Sequence, residues 1–381
     1  MERPYHILYL SSWYPSRIEP SNGNFVQRHA EAAAQRHHVE VLHAIGDIQQ
    51  KQDFVFDEQN THGVRVLTVY YRSSPNALIN FFRRMSAYRC GFKKMAKPDL
   101  VHANIMRQQM LFVLWLKFRL GIPFVVSEHW SAFLPENVFQ LNVFQKVVAR
   151  IISRFASRIL PVSKALENGL KINGIKGEFS VVPNVVNTHV FSVDEERKAD
   201  IVFLHISNLA AVKHSDVIVR NLVKLRHEGY PVKLEIGGDG DIRPLLEQVK
   251  ELDAGDYINV FPAISQKEVA EKMSRSDCFV LFSDFETQSC VLIESLSSGK
   301  PVIAPRVGGI PEFVNNGNGI LIARGNEDQL YQAMKRVASK ETNFLSARDI
   351  RRQVQRFSVP AVSAQLSEIY TSVLQKNTFS K

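Results

Sequence analysis

Cysteine is scarce in this chain, and the three present (Cys90, Cys278, Cys290) stand far apart with no Cys-x-x-Cys pair. That argues against a disulfide framework or a zinc site and suits a reducing cytoplasm. Long apolar runs are missing as well. The longest, MLFVLWLKFRL from Met110, is interrupted by Lys117 and Arg119 and falls short of the ~20 residues a membrane span needs. The first apolar run, HILYL from His6, is too brief for a secretory leader and leads directly into polar residues, so no leader is expected. Acidic residues are in deficit: 38 Asp and Glu face 47 Lys and Arg, a formal net charge of +9. An excess of that sign points to an acidic partner such as phosphate, anionic lipid or nucleic acid. Nucleic acid would need aromatic platforms or a recognised motif beside the basic segments, and neither is found, so it is not expected.

The remaining composition is that of an ordinary globular protein, and 381 residues exceed one usual core, so two domains are expected. HILYL, VEVLHAI (from Val39), DLVHAN (from Asp99), PFVVSEH (from Pro123) and RILPVS (from Arg158) read as strands. Helical stretches over 25–37, 108–119 and 143–158 separate them. After EFSVVPNVVN the rhythm restarts with IVFLHIS, VKLEIGG, INVFPAI, CFVLFS, PVIAP and GILIA. Helices over 215–227, 242–251, 266–274 and 289–298 intervene. Near-continuous apolar strands alternating with helices predict α/β units with parallel sheets covered on both faces. A linker is expected near 183–195, and a last helix from Ser358–Pro360 to about Gln375.

One stretch concentrates chemistry: CFVLFSDFETQSCVLIESLSSGKPVIAPRVGGIPE, from Cys278 to Glu312. It places Glu286 in the loop after a strand and Glu294 in the helix that follows, with seven residues between them, and then a Gly-Gly turn at Gly308 and Gly309. Strand ends beside helix starts are where α/β proteins hold phosphorylated ligands. EIGGDGDIRP carries Gly237, Gly238 and Gly240, which allow close backbone approach, although the spacing is not the dinucleotide fingerprint. Asp239 and Asp241 form a D-x-D, with Asp241 placed to cap the following helix, and no metal is expected there. PSNGNFVQRH sets Gly23 and Asn24 before a helix, with Arg28 and His29 one turn inside. His129 and His102 both sit at carboxyl ends of strands. Lys146, Arg150, Arg154 and Arg158 recur every four residues, and Arg83, Arg84, Arg89, Lys93, Lys94 and Lys97 form a second basic segment. Two readings of these segments, 83–97 and 146–158, stand side by side: an anionic membrane surface, or solvated helices packed on the sheet.

The E-x7-E stretch with its GKPVIAP strand and GGIPE turn resembles the nucleotide-sugar glycosyltransferases of the GT-B fold, in particular the retaining family 4. The resemblance runs over nearly the whole chain. It implies two facing Rossmann-like domains with an interdomain cleft: 1–186 for the acceptor, 187–356 for the nucleotide sugar, and 357–381 as a helix crossing back to the first. The implied catalytic group is Glu286, His129 and Lys213. Glu286 would hold the donor sugar's hydroxyls, His129 would face that sugar, and Lys213 would neutralise the diphosphate leaving group. The implied donor site adds Glu294 at the ribose, Asn208, Gly238, Gly240, and the amides of Ser289, Cys290 and Val291. Gly23, Asn24, Arg28, Gly308 and Gly309 would form the acceptor and diphosphate loops. At Asn208 the family usually has an arginine, and Val185 and Asn187 replace the glycine and aspartate usual after Asn184.

The implied activity is transfer of a sugar from a nucleotide-diphosphate donor to a glycan or lipid-linked acceptor, with retention, in cell-surface polysaccharide or glycoconjugate synthesis. The donor is a co-substrate, with no cofactor or catalytic metal. A cytoplasmic location follows, peripheral on the inner membrane face if the basic helices dock there. A nucleotide-sugar 2-epimerase on the same fold and a non-catalytic nucleotide-sugar-binding module are the alternatives.

Overall fold

Strands buried along their whole length belong at the centre of covered sheets, and the chain has two sets of them. The structure, a computed structural model, describes residues 3–193 and 200–378. Residues 194 and 195 of the expected linker and 379–381 of the expected last segment lie outside the described residues. The chain divides into two units, Met1–Val185 with Val359–Lys381, and Val186–Ser358.

In the first unit, β1 (His6–Ser11), β2 (His38–Asp47), β3 (Phe54–Thr61), β4 (Val64–Arg72), β5 (Leu100–Asn104), β6 (Phe124–Glu128) and β7 (Arg158–Pro161) share one sheet. Its order is β3-β4-β2-β1-β5-β6-β7. Strands β5 and β6 are buried at every position, and β1 at all but its first, as double-sided cover requires. The β3–β4 pair is antiparallel and has no counterpart in the sequence reading. Its turn is His62–Gly63, with φ of 50° and 80°, matching the two left-handed residues of a type I′ hairpin. Strand β3 is largely exposed and carries Asp57 and Glu58, which discourage pairing at a sheet edge.

Helices α1 (Asn24–Ala34), α2 (Ala77–Phe92), α3 (Phe112–Leu120), α4 (Val143–Phe155) and α5 (Lys164–Ile172) make the connections. Asn142 and Gln145 cap α4 reciprocally, each side chain accepting from the other's backbone N–H. Both basic segments are shorter helices than expected. Helix α2 ends at Phe92, with Lys94 and Lys97 beyond it, and Pro98 holds Lys97 out of helical geometry. Helix α4 ends before an extended Ala156, so Arg158 falls in β7, paired with Glu178 at 3.0 Å. Val147 and Ile151 of α4 are exposed, whereas Val148 and Ile152 are buried.

The second unit contains β8 (Ile201–Ser207), β9 (Val232–Gly238), β10 (Ile258–Phe261), β11 (Cys278–Val280), β12 (Val302–Pro305) and β13 (Gly319–Ile322). All pair in parallel, in the order β10-β9-β8-β11-β12-β13. Helices α6 (Ser215–His227), α7 (Arg243–Glu251), α8 (Gln266–Arg275), α9 (Cys290–Ser297), α10 (Glu327–Ala338) and α11 (Ala347–Gln353) cover it. This is the Rossmann strand order, in which the chain builds outward in one direction, returns to the centre and builds the other way. The reversal lies between β8 and β11, and a similar one in the first sheet lies between β1 and β5. Ligands of such sheets bind outside the carboxyl ends of the strands at the reversal. The chain ends in α12 (Val359–Thr378), which belongs to the first unit. Among the described residues no helix is long and apolar enough to cross a membrane.

Candidate functional site

In the second unit the loops leaving β8 and β11 meet at the reversal. Three contacts clip them together. Asp284 N donates to Val212 O at 3.0 Å. His214 Nε2 lies 2.9 Å from Asp284 Oδ2. Lys213 Nζ donates to Glu286 Oε1 at 2.5 Å, and Ser283 Oγ donates to the same oxygen at 3.1 Å. Both side chains of the Lys213–Glu286 pair are mostly covered, at 18% and 12% exposure. No described residue bonds Glu286 Oε2, so this oxygen remains an acceptor. The β8 loop reaches this shape through left-handed backbone at Leu209 (φ 53°) and His214 (φ 46°), an uncommon conformation for residues with a Cβ.

A residue the sequence reading passed over anchors that loop. His205 is fully buried in β8, with Nδ1 2.8 Å from Val280 O and Nε2 2.9 Å from Ser207 Oγ. Burial lowers its pKa to about 4, so it is neutral at pH 7. Its Nδ1–H donates across to β11, while Nε2 accepts from Ser207, whose Oγ accepts Leu209 N at 3.1 Å. The available signal was a polar residue inside the apolar strand IVFLHIS.

The Gly308–Gly309 turn, expected among the acceptor and diphosphate loops, adjoins this clip, and Gly238 and Gly240 pack on the β8 loop beside it. Gly309 N donates to Glu286 O at 3.3 Å, which brings the Gly308–Gly309 turn against the acidic loop. Gly308 needs its left-handed φ of 47°. Asn208 is exposed, and its Oδ1 accepts Ala210 N at 3.3 Å, a local turn. For Gly238 and Gly240 the structure supplies a different reason from ligand approach. A Cβ on Gly238 would lie 1.6 Å from Ser207 O, and one on Gly240 would lie 2.1 Å from Asn208 O. The protein's own backbone fills the space, so these glycines hold the β9 loop against the β8 loop. Ser289 precedes α9 without a side-chain cap bond, Cys290 and Val291 open the helix, and Glu294 is buried one turn in at 6% exposure. Asp241 accepts from Arg243 N at 3.1 Å and from its guanidinium, although the residue before α7 is Ile242. The Arg243 bonds lower the Asp241 pKa to about 2.

In the first unit His129 follows β6. Its Nδ1 lies 3.1 Å from Asn184 Oδ1, and its Nε2 is buried with no partner among the described residues. Burial, with smaller contributions from His29 and His102, pushes its pKa well below the usual value. A neutral ring donating from Nδ1 leaves Nε2 an acceptor. From α1, Phe25 and His29 stand beside it at ring separations of 4.4 and 5.3 Å. Gly23 (φ 76°) precedes α1, and its missing Cβ makes room for Trp13 O. Asn24 is the first helical residue, and Arg28 lies half-buried a turn further on.

His102 has a different place. Its Nδ1 meets Tyr370 Oη at 2.6 Å and its Nε2 meets Ser127 Oγ at 2.7 Å. Tyr370 Oη contacts Tyr9 Oη at 2.9 Å, and Tyr9 donates to His29 O at 3.2 Å. One run of donors satisfies every member: Ser127 to His102, His102 to Tyr370, Tyr370 to Tyr9, Tyr9 to His29 O. Both nitrogens of His102 are used, so it ties α12 to the sheet and offers nothing to a ligand.

The family described as Glycosyl transferases group 1 matches residues 188–356, and Glycosyltransferase Family 4 matches residues 23–190. The chain is 31% identical over 189 residues to an N-acetyl-alpha-D-glucosaminyl L-malate synthase of Bacillus anthracis, covering 49% of this chain and 48% of that relative. The match thus spans about half the length of that relative. Among solved structures, the sucrose-phosphate synthase of Thermosynechococcus elongatus has a TM-score of 0.78 at 18% identity, covering 97% of this chain and 100% of the other. Anabaena Alr3699/HepE in complex with UDP-glucose has a TM-score of 0.73 at 19% identity, again covering 97% and 100%. These likenesses establish a shared fold. The two family matches run together from residue 23 to residue 356, across both sheets, and the chain belongs to the group 1, family 4 glycosyltransferases.

Proposed function

We propose that the protein transfers a sugar from a nucleotide-diphosphate donor, bound by the second unit, to a glycan or lipid-linked acceptor bound by the first, with retention of configuration. The observation that carries the reading is the Lys213–Glu286 pair at the β8/β11 reversal. A pyrophosphate leaving group gains charge as the glycosidic bond breaks, so a fixed ammonium helps the transition state more than the ground state. Arrival of the phosphates would draw Lys213 off Glu286 and leave both carboxylate oxygens for sugar hydroxyls. Glu294 would take the ribose hydroxyls, and His129 Nε2 would accept from a hydroxyl of the transferred sugar. The UDP-glucose complex of the Anabaena protein supports a nucleotide sugar as donor.

A thermal-shift panel of UDP-, GDP- and ADP-sugars tests this directly. A donor at ~100 times its dissociation constant adds about 2.7 kcal/mol to stability. No response to any of them would overturn the reading. Glu286→Ala should lower turnover by roughly 10²-fold or more while leaving nucleotide affinity nearly unchanged. Equal small effects would favour the binding module, and donor isomerised without acceptor would favour the epimerase.

A specific observation favours an anionic membrane as the place of work. Helices α2, α3 and α4 contain no Asp or Glu, but carry three, two and three Lys or Arg. They adjoin one another: Arg89 lies over Trp115 at 6.0 Å, and the Phe118 and Phe155 rings are 4.9 Å apart. Phe82, Phe118, Val143 and Phe144 are exposed on them. Basic charge around exposed apolar side chains suits anionic headgroups. Sedimentation should follow anionic vesicles, in a salt-sensitive way, and not zwitterionic ones; equal recovery with both would remove this part of the proposal.

A further inference from the structure

At the reversal of the first sheet one cation has no side-chain hydrogen bond or ion pair among the described residues. Arg107 lies in the loop after β5, with its guanidinium 4.9 Å from the Trp130 ring centre and 6.0 Å from that of Trp13. Trp13 follows β1 and Trp130 follows β6, so three strand ends converge on this one side chain. Its Nε is buried and has no hydrogen-bond partner among the described residues, and no described carboxylate forms an ion pair with it. A neutral indole face attracts a guanidinium but accepts none of its in-plane hydrogens. Native interiors rarely leave such donors unsatisfied, and where the protein supplies no acceptor, water or a ligand does.

The surroundings keep the site open to an anion. Glu128, whose charge acts on Arg107, spends both oxygens on backbone: its Oε2 accepts Met106 N at 2.8 Å, and its Oε1 accepts His129 N and Trp130 N at 2.9 and 2.8 Å. Burial raises its pKa to about 7, which reduces its hold on Arg107 further. Its work is positional, tying the β5 loop to the β6 loop and so setting Trp130 opposite Arg107. Ile105, two residues before Arg107, is left-handed at φ 70°, a strained conformation for a β-branched residue. The chain holds that turn so that Arg107 faces the indoles. From Arg107 the rings continue through Trp13 and Phe25, 6.3 Å apart, to His129.

We propose that Arg107, between Trp13 and Trp130, binds an oxyanion carried by the acceptor sugar, a phosphate or a carboxylate, while the indoles cover the sugar's apolar face. The proposal rests on the reading of the first unit as the acceptor side. A planar guanidinium pairs two-pronged with either anion. The ring path would extend the sugar-binding face of the first unit from Arg107 to His129.

The probes are glucose 6-phosphate, glucuronate and glucose, titrated into the full chain while tryptophan emission is followed. Trp115→Phe removes the third tryptophan and leaves Trp13 and Trp130 as reporters. Both anionic sugars should produce a saturable change that glucose does not. Preference between them identifies which anion the acceptor carries. Arg107→Gln should weaken that binding roughly tenfold or more, and Arg107→Lys should lose less. The thermal shift given by the donor should persist in both variants, which separates failure of this site from failure of the donor reading. An equal response to glucose, or Arg107→Gln binding as the parent does, overturns the proposal. If Arg107→Gln does not fold, Arg107→Lys decides: binding equal for all three sugars overturns it, and retained preference for the anions supports it.

Discussion

The two sheets use one device, a reversal of strand order, and furnish it oppositely. In the second unit the reversal carries opposite charges in contact, Lys213 with Glu286, beside the His214–Asp284 contact. In the first unit it is lined mainly by buried neutral rings, His29, His43, His102 and His129 with Tyr9 and Tyr370, and the charge it carries, Arg107, has no ion-pair partner among the described residues. A charged clip suits a ligand whose charge rises during reaction. A neutral, hydrogen-bonded frame suits orienting a polyhydroxyl acceptor while excluding water. Similar strand order therefore does not set similar chemistry; the residues at the strand ends do.

Acid should separate the units most strongly. Burial lowers the pKa of His29 and His43 to about 4 and that of His102 and His129 well below the usual value, against His205 alone in the second unit. A histidine depressed from 6.5 in the unfolded chain to 4 contributes stability that is complete above pH 6.5 and lost as pH falls through 4. Each such shift is worth about 3 kcal/mol. Glu128, raised to about 7, acts in the opposite sense, losing stability as pH rises from 4.5 to 7. Four histidines outweigh one glutamate. Hydrogen exchange recorded between pH 6.5 and 4 should show the first unit opening first, and earlier exchange in the second would break the comparison.

A smaller effect of opposite location is expected from Gly238→Ala. Its Cβ would strike Ser207 O, and its φ of 148° disfavours a side chain. A loss of about 3 kcal/mol is expected, with faster exchange confined to segments of the second unit. Exchange changes in the first unit instead would show that the two reversals are not independently built. The smallest expected effect is Tyr370→Phe, which removes the hydroxyl between Tyr9 and His102. About 1–3 kcal/mol of stability should be lost in chemical denaturation, with donor affinity unaltered. A change in donor affinity would mean that the ring network serves the donor site too.

Much of this protein is legible along the chain. Apolar strands alternating with helices give parallel sheets because a strand covered on both faces has no polar side to show. Glu286 and Glu294 stand out because charge is rare in such a setting, and the GGIPE turn needs the left-handed backbone that Gly308 supplies. The β3–β4 hairpin was missed because His62–Gly63 is a less familiar turn pair than Asn-Gly. His205 and Arg107 were missed because their meaning lies in what they touch. One is read from Val280, across a strand gap of seventy-five residues, and the other from indoles ninety-four residues before it and twenty-three after.

The sequence by itself determined the fold class and the family, and nominated the residues of the proposed donor site, since period, glycine placement and motif spacing are local properties of a chain. Only the tertiary structure decided that Lys213 pairs with Glu286, that Gly238 and Gly240 make room for backbone, that His102 is structural, and that Arg107 waits between two tryptophans. Those outcomes depend on which strand ends become neighbours and on how far water is excluded there. Both are set by packing across long separations, which no local pattern encodes.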